Sequence, residues 1–348
     1  MDYTLLGGTD LKVSRICLGT MTWGEQNSEN EGFEQMDYAV AQGINFFDTA
    51  ELYSIPPKEE TQGKTEQIIG NWLRSRKARD KIILATKVTG RSENQWLRED
   101  RSPTELSPTH IREALDKSLK RLQTDYIDLY QLHWPDRPMP WGSNPTVWRG
   151  IGEDTFHAFE EILETLTELI KEGKIRFIGV SNESAWGLMR FLETASRLGL
   201  ARMHSIQNAY NLLNRTYETA LAEISERENI SLLAYSPLGQ GYLTGKYLDG
   251  ARPAGARTTL FNRGERYEKP GSDDAIRKYV ELAKAYNLAP ATLAIAFVNS
   301  RRFVKSTIIG ATTMEQLKQA IAAHDILISS ELEKEINKIH QIHCNPCP

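Results

Sequence analysis

Eight short apolar runs alternate with longer helical patterns along the chain, and this alternation limits the possible folds more than any other feature. Most of the runs are rich in Val, Ile, Leu and Phe without polar alternation, which is typical of parallel strands buried on both faces. The predicted strands are residues 16–18, 45–48, 82–86, 127–131, 177–180, 205–207, 232–235 and 306–309. Eight β/α units in one chain predict an α/β fold, namely a (β/α)8 TIM barrel.

The segments between these runs carry the 3.6-residue spacing of amphipathic helices. One such pattern covers residues 33–40, and a second covers residues 111–122. The second follows Ser107-Pro108, which suits an N-cap and a first helical position. A third covers residues 156–170 and ends shortly before Gly173, the residue type most common just after a helix. We therefore expect a helix in each of the three segments.

The strand count alone leaves a doubly wound open sheet as an alternative to the barrel. Such sheets often carry a Gly-x-Gly-x-x-Gly fingerprint after the first strand, whereas the glycines of residues 19–24 have a different spacing. The barrel is therefore the favoured prediction. Two further runs, residues 3–6 and 11–14, flank a Gly-Gly-Thr-Asp turn and predict a β-hairpin that caps the bottom of the barrel.

The chain is longer than the about 250 residues of a plain barrel, and most of the excess follows strands. The long insertions are residues 54–63, 89–106, 134–154 and 238–272. Segments after strands lie on the C-terminal face of a barrel, where active sites lie. No linker or repeat interrupts the pattern, so we expect one domain, residues 1–348, with long loops at the active-site face.

Composition excludes several classes of function. The 348 residues include 42 basic and 46 acidic side chains, for a net charge of −4, so the chain has no positive field for nucleic acid or anionic lipid. Its apolar stretches are shorter than the ~20 residues that cross a bilayer, and residues 1–15 lack the pattern of a signal peptide. The three cysteines are too few for a disulfide scaffold. We expect a cytoplasmic enzyme without a nucleic-acid or membrane partner.

Three ionisable residues, Asp48, Lys87 and His133, close three successive predicted strands, and Tyr53 follows Asp48 by a short segment. A charged residue after one strand is usually only solvated, but on a barrel all of these strand ends meet at one mouth. The four side chains together therefore predict a single site.

The chemistry of such a group follows from its proton affinities. A phenol has a pKa of about 10, and burial raises it further. An ammonium ~4 Å away contributes about 4 kcal/mol at an effective dielectric of ~20, enough to offset burial and lower the phenol pKa by a unit or two. A carboxylate would hold the lysine charged, and a histidine could bond the substrate oxygen. Asp48, Tyr53, Lys87 and His133 would then polarise and protonate a carbonyl, with the hydride coming from a cofactor.

Several motifs, in combination and in order, resemble the aldo-keto reductase superfamily over essentially the full length. They are Leu18-Gly-Thr, Phe47-Asp-Thr-Ala-Glu-Leu-Tyr53, Ala85-Thr-Lys87, Leu119-Lys-Arg-Leu, residues 126–133, residues 173–182 and Ile309-Gly-Ala. The resemblance implies that Tyr53 is the proton donor, that Lys87 and Asp48 tune it, and that His133 orients the substrate. It also implies NADPH bound across the barrel mouth and a small carbonyl compound as substrate.

The resemblance further implies which residues bind this cofactor. Ser181, Asn182 and Gln207 match contacts to the nicotinamide carboxamide, and Tyr235 matches the aromatic residue that stacks on the ring. The turn at residues 236–241 would wrap the pyrophosphate with backbone N–H groups. The remaining candidates are Thr20, Met21, Ser236, Pro237, Leu238, Gly239, Gly241, Lys246, Arg257, Gly310, Thr312, Gln316 and Gln319.

Two departures concern the adenosine end of the cofactor. Many members place a Lys-Ser pair and an arginine where this chain has Gly310-Ala-Thr312 and Gln316. The branch that resembles potassium-channel β subunits shares this pattern and still uses NADPH, so NADPH remains the prediction. The usual Glu-Asn pair that holds the adenine amine is replaced by Gln319-Ala320, which removes a hydrogen-bond partner worth roughly 1 kcal/mol.

Other features leave alternatives open. Trp23 and Trp134 lie where they could contact a ring-shaped substrate, or they could pack the loops onto the barrel. The C-terminal His340, His343, Cys344 and Cys347 are residue types that bind zinc. Zinc sites normally use two pairs of ligands with spacer residues within each pair, whereas His343 and Cys344 are adjacent. We therefore expect no metal.

Two other functions compete with carbonyl reduction. The first is an NADPH-sensing regulatory subunit with weak turnover, which the channel-associated branch suggests. His133 argues against it, because channel-associated members replace that histidine. The second is a barrel isomerase that needs no nicotinamide.

Overall fold

The computed structural model describes residues 1–140, 147–148, 150 and 156–348. Strand β1 (Tyr3–Leu5) pairs antiparallel with β2 (Lys12–Ser14) in a hairpin. Eight parallel strands follow and form a closed barrel. They are β3 (Ile16–Gly19), β4 (Phe46–Asp48), β5 (Ile83–Val88), β6 (Ile127–Leu132), β7 (Ile175–Ser181), β8 (Met203–Ala209), β9 (Ser231–Tyr235) and β10 (Val304–Ile309).

Closure of the barrel depends on the pairing of its first and last strands. β10 pairs in parallel with β3, with Thr307 opposite Ile16, and its other edge pairs with β9. The predicted barrel is confirmed, because an open doubly wound sheet would leave these edges unpaired. Each of the eight predicted runs overlaps one observed strand.

Helices cover the outside of the barrel: most lie between its strands in the sequence, and the last two follow β10. They are α1 (Glu29–Ala41), α2 (Lys64–Arg76), α3 (Pro108–Leu122), α4 (Phe159–Lys171), α5 (Ala185–Leu198), α6 (Leu221–Arg227), α7 (Arg257–Phe261), α8 (Ser272–Ala285), α9 (Pro290–Asn299), α10 (Met314–Ala322) and α11 (Ser330–Ile342). Within the described ranges, none of them has both the length and the apolar character that a membrane span needs.

The predicted helix ends follow from local chemistry. Ser107 caps α3 by accepting a hydrogen bond from the His110 N–H, and Pro108 occupies the first turn. Gly173, with φ of +73°, follows the C-cap of α4. Phe156 lies outside α4, so the predicted start of that helix is too early: α4 begins only at Phe159.

The hairpin closes the bottom of the barrel, as predicted. Leu6, Leu11 and Val13 are buried in one cluster with side chains of the barrel interior, including Cys17 and Phe46. The Gly7 N–H donates to Ser231 Oγ at the start of β9, at 2.6 Å. With this end closed, the C-terminal ends of the strands form the accessible mouth.

Candidate active site at the barrel mouth

The C-terminal ends of β4, β5 and β6 bring the four predicted catalytic residues together. Asp48 is the last residue of β4, Lys87 lies near the end of β5, and His133 directly follows β6. Tyr53 lies in the segment after β4. Because neighbouring strands run in parallel and in register, Asp48 pairs with Ala85 and Lys87 with Gln131. The four side chains therefore face one site.

Lys87 and Asp48 form a buried ion pair. Lys87 Nζ lies 2.6 Å from Asp48 Oδ2 and 2.7 Å from the Thr49 carbonyl oxygen. The other carboxylate oxygen accepts hydrogen bonds from Gln131 Nε2 at 3.2 Å and Gln207 Nε2 at 2.8 Å. Burial alone would lower the pKa of Lys87, but Asp48 and the phenol raise it above its ordinary value, so the lysine is charged.

Tyr53 lies against this ammonium group. Lys87 Nζ is 5.0 Å from the centroid of the Tyr53 ring, and that ring meets the His133 ring edge to face at 5.7 Å. The pKa of Tyr53 is raised, because burial outweighs the opposing effect of Lys87. The expectation of a lowered phenol pKa is therefore wrong. A raised value keeps the phenol protonated at neutral pH, which suits a proton donor.

His133 is held as a neutral imidazole. Burial, and then the charge of Lys87, lowers its pKa well below the ordinary value. Its backbone carbonyl oxygen accepts from Asn182 Nδ2 at 2.8 Å. Among the described residues, no group bonds its buried Nδ1. A neutral imidazole has one N–H donor and one acceptor nitrogen, so His133 can hydrogen-bond a ligand while staying uncharged.

A second buried ion pair, which the sequence analysis missed, supports the segment that carries Tyr53. Arg98 Nη1 and Nη2 donate to the two carboxylate oxygens of Glu51 at 2.9 and 3.0 Å, and the Thr89 N–H donates to Oε1 at 2.7 Å. Both side chains of the ion pair are essentially inaccessible. This pair ties the loop between β5 and α3 to the Tyr53 segment.

The predicted nicotinamide contacts meet at the ends of β7, β8 and β9. Asn182, with φ of +53°, accepts from Tyr235 Oη at 2.6 Å through its side-chain oxygen. Ser181 Oγ donates to the Gln207 carbonyl oxygen at 2.8 Å. Arg266, a residue the sequence analysis missed, donates to Tyr235 Oη at 3.0 Å. Thr20, also predicted to contact the cofactor, lies beside Asp48 instead, and its hydroxyl donates to the Asp48 carbonyl oxygen at 2.9 Å.

The turn after β9 contains several residues with positive φ. Ser236 and Gly239 have φ of +55° and +54°, and Gly241 has φ of +95°. Pro237 and Leu238 lie between them, and the Leu238 carbonyl oxygen accepts from the Gly241 N–H at 2.9 Å. A Cβ on Gly241 would lie 2.9 Å from Cε of Lys246, so glycine is needed for the lysine to pack closely. The Gly239 N–H likewise donates to the Ser236 carbonyl oxygen at 2.9 Å, so these two N–H groups already have partners within the turn.

Arg257 provides a test of whether a phosphate group fits beside this turn. Burial, followed by repulsion from Arg263, lowers the pKa of Arg257 to about 10. Its Nη1 contacts only the soft Met21 Sδ at 3.8 Å, and within the described part of the chain its buried Nε has no hydrogen-bond partner. A buried guanidinium without a carboxylate is costly, and a phosphate would satisfy it. Arg257 therefore fits a negatively charged group such as a phosphate.

The predicted adenosine contacts lie after β10. Gly310 has open space around it, and Thr312 donates to Gln316 Oε1 through its N–H at 3.0 Å and its hydroxyl at 3.1 Å. Gln316 and Gln319 are exposed. Ala320, by contrast, is buried in the core.

The structure does not support a substrate contact for Trp23. Its side chain is completely buried in the main core, and its indole N–H donates to Gln35 Oε1 at 3.0 Å. Trp134 lies closer to the mouth, with its ring 4.9 Å from the His133 ring. It packs with Leu52 and Leu97 in a small cluster, and its indole N–H donates to the Arg91 carbonyl oxygen. Part of the loop after Trp134 lies outside the described residues.

The C-terminal histidines and cysteines do not form a ligand set. Among the described residues, no three His, Cys, Asp or Glu side chains are placed to share a metal ion. Cys347 is buried and Cys344 is exposed.

Comparison with known proteins agrees with this geometry. The profile of the aldo/keto reductase family matches residues 15–341. The protein tas of Escherichia coli (strain K12) is 49% identical over 351 aligned positions, which cover 100% of both chains. YrpG of Bacillus subtilis, named as an uncharacterized oxidoreductase, is 36% identical and covers 97% of this chain and 96% of its own length. A putative voltage-gated potassium channel subunit beta of Schizosaccharomyces pombe is 30% identical, covering 97% and 93%. The chain therefore belongs to the aldo/keto reductase family, as its motifs predicted.

Proposed function

We propose that this chain is an NADPH-dependent oxidoreductase that reduces aldehydes or ketones to alcohols. The observation that carries the proposal is the placement of a protonated phenol, Tyr53, between a buried ammonium and a neutral imidazole at the barrel mouth. We further propose that it acts as one domain in the cytoplasm, and its unpaired cysteines suit a reducing compartment.

The cofactor would be held by groups around the mouth. Ser181, Asn182 and Gln207 would bind the carboxamide, and Tyr235 would stack on the nicotinamide. The turn at residues 236–241, with Lys246 and Arg257, would bind the phosphates. Thr312 and Gln316 would lie at the adenosine end. When bound, the nicotinamide supplies a hydride to the carbonyl carbon.

The protein's own residues orient the carbonyl oxygen of the substrate and supply the proton that it receives. The imidazole of His133 hydrogen-bonds the carbonyl oxygen and orients it, and its neutrality leaves the charge of Lys87 as the main local field. Tyr53 donates its proton to that oxygen as negative charge develops there. Lys87 stabilises the phenolate left behind, while Asp48 keeps the ammonium charged and aimed. Tyr53 afterwards recovers a proton from solvent.

Replacing Tyr53 by phenylalanine tests this mechanism. Tyr53→Phe removes the transferable proton and keeps the ring, so reduction of 4-nitrobenzaldehyde is expected to fall about 100-fold or more. NADPH binding is expected to stay nearly unchanged, because the phosphate and carboxamide contacts remain. Stopped-flow loss of NADPH fluorescence measures the reaction, and a fluorescence titration measures binding, each repeated with NADH.

Tyr286→Phe is the matched control, because Tyr286 is a partly exposed residue just after α8. Equal turnover in Tyr53→Phe and the wild-type protein contradicts the mechanism. A wild-type protein that binds NADPH yet oxidises it no faster than Tyr53→Phe favours the regulatory subunit instead, which the likeness to the channel-subunit relative raises. Absence of any nicotinamide binding rejects both functions.

A further inference from the structure

The C-terminal tail, defined as residues 345–348, folds back onto two segments distant in sequence. Asn345 Oδ1 accepts a hydrogen bond from the Arg215 N–H at 2.6 Å. The Cys347 N–H donates to the Leu213 carbonyl oxygen at 3.1 Å. The Cys347 side chain is completely buried, and its thiol lies 3.7 Å from the Tyr267 carbonyl oxygen. The tail therefore joins the segment after β8 to the long insertion after β9.

Tyr267 is the residue through which the tail reaches the phosphate-binding turn. Its ring packs against Gly239, where an added Cβ would lie 3.1 Å from the ring. Its hydroxyl oxygen accepts from Asn211 Nδ2 at 3.1 Å, and the same amide group donates to the Ser236 carbonyl oxygen at 3.0 Å. The fully buried Tyr267 thus contacts Gly239 directly and is linked to Ser236 through Asn211.

The neighbouring residue extends this support to the ring-stacking position. Arg266 donates to Tyr235 Oη, and its guanidinium lies 5.5 Å from the Tyr235 ring centroid. A shift of the backbone at residues 266–267 would move Tyr235 and the turn together. The tail contacts this backbone directly, at the Tyr267 carbonyl oxygen.

We propose that the C-terminal tail is a positioning element for the cofactor-binding turn, and that its docking and cofactor binding stabilise each other. The inference rests on the proposed binding of NADPH. A docked tail holds Tyr267 against Gly239 and so presents the turn in its binding conformation. Because coupling between two sites is reciprocal, bound cofactor must hold the tail in place by the same factor.

Removal of the tail tests the first half of the proposal. A chain ending at Cys344 is expected to bind NADPH about tenfold more weakly, a typical coupling between two sites. Asn345→Ala, which removes the side-chain bond to the Arg215 N–H, is expected to show a smaller loss in the same direction. At saturating NADPH, kcat is expected to stay close to the wild-type value, since Tyr53, Lys87 and His133 are untouched. Ile342→Ala, at an exposed position near the tail, is the control and is expected to bind NADPH normally.

Thiol labelling tests the reciprocal half without any turnover. In a Cys344→Ser background, NADP+ is expected to slow modification of Cys347 by an aromatic disulfide reagent about tenfold. Cys17, buried in the barrel interior, reports global unfolding in the same sample by mass spectrometry.

The outcomes separate this inference from the proposed function. An unchanged NADPH affinity in folded tail variants, or a Cys347 labelling rate unaffected by NADP+, overturns the role of the tail. A wild-type chain that binds no NADPH or NADP+ overturns the proposed function instead. Should the truncated chain fail to fold, Asn345→Ala and the labelling experiment still decide the question.

Discussion

At the scale of single residues, Arg98 and Glu51 show how a buried charge can fix a reactive segment. An ion pair shielded from water contributes little net stability compared with an apolar pair, but removal of one partner leaves an uncompensated charge. Glu51 precedes Tyr53 by a short step, and its two oxygens are held by Arg98 and by the Thr89 N–H. The position of Tyr53 therefore depends on a loop that lies outside the barrel strands.

Replacing Arg98 tests this dependence. Arg98→Met is expected to lower the free energy of unfolding by about 3–5 kcal/mol, because Glu51 remains buried without its partner. Denaturation in urea, followed by tryptophan fluorescence, measures the change. The control is Arg101→Met in the same loop, where the pair with Glu59 is exposed and the loss should stay within about 1 kcal/mol. Similar midpoints for the two variants would contradict a structural role for the buried pair.

The difference between Arg98 and the proposed catalytic residues shows which residues a sequence can reveal. Asp48, Lys87 and His133 stand out because each ends an apolar run whose strand identity places it at the mouth. Arg98 lies in a run of charged residues, and nothing in the sequence distinguishes it from the exposed Arg101. Burial decides its role, and burial is a property of the folded loop.

The same reason explains the wrong expectation for the Tyr53 pKa and the alternatives that stayed open for Trp23. The pKa of Tyr53 depends on a balance between burial and the Lys87 charge, and the depth of burial was unknown from the sequence. Trp23 follows a strand as a substrate contact would, but its ring turns inward to Gln35.

At the scale of elements, the hairpin of β1 and β2 acts as the floor of the barrel. Its turn-side residues alternate sharply in environment: Leu5 is 55% exposed, whereas Leu6 is completely buried. Leu6 packs with Leu11 and Val13 against the interior layer that includes Phe46. The hairpin therefore contributes buried apolar surface far from the mouth.

Adjacent leucines provide a direct measure of this contribution. Leu6→Ala is expected to cost about 2–5 kcal/mol of unfolding free energy, because it leaves a cavity in a closed layer. Leu5→Ala should change stability by no more than about 0.5 kcal/mol, as exposed substitutions do. Chemical denaturation gives both values. If the two variants are equally stable, the hairpin does not form part of the core.

Element boundaries were predicted less well than element identities. The run at residues 205–207 becomes β8, which extends over Met203–Ala209 and includes the polar His204 and Asn208. Pairing with β7 and β9 on both edges continues the strand beyond its apolar centre. The sequence pattern reveals the apolar centre of a strand, but it does not reveal the neighbouring strands whose hydrogen bonds lengthen it.

At the scale of the whole molecule, the near-neutral charge bears on how the proposed NADPH would be recognised. With a net charge of −4, the chain has no excess positive charge to attract phosphates. We expect recognition of this cofactor to depend on a few placed cations, and Lys246 beside Gly241 is one candidate.

Substitution of two lysines tests whether NADPH binding depends on a placed charge or on the net charge of the protein. Lys246→Met and Lys12→Met lower the net charge by the same amount. Lys12 is an exposed residue of the hairpin, at the closed end of the barrel. Lys246→Met is expected to weaken NADPH binding by about tenfold or more, the worth of a charge-assisted hydrogen bond. Lys12→Met should leave it unchanged. Fluorescence titration at a fixed salt concentration measures the NADPH affinity of both variants. Equal losses of affinity would indicate that NADPH responds to the net charge of the protein and not to Lys246 itself.

Closure of the barrel by β10 and β3 also bears on how the chain is synthesised. The two strands lie near opposite ends of the sequence, yet Thr307 and Ile16 are partners in the sheet. During translation, β3 emerges early and keeps an unpaired edge until β10 has left the ribosome. Exposed strand edges are sites of aggregation, and domains at this size fold through intermediates. We therefore expect a nascent chain stalled before residue 304 to expose the edge of β3 that β10 covers in the folded protein.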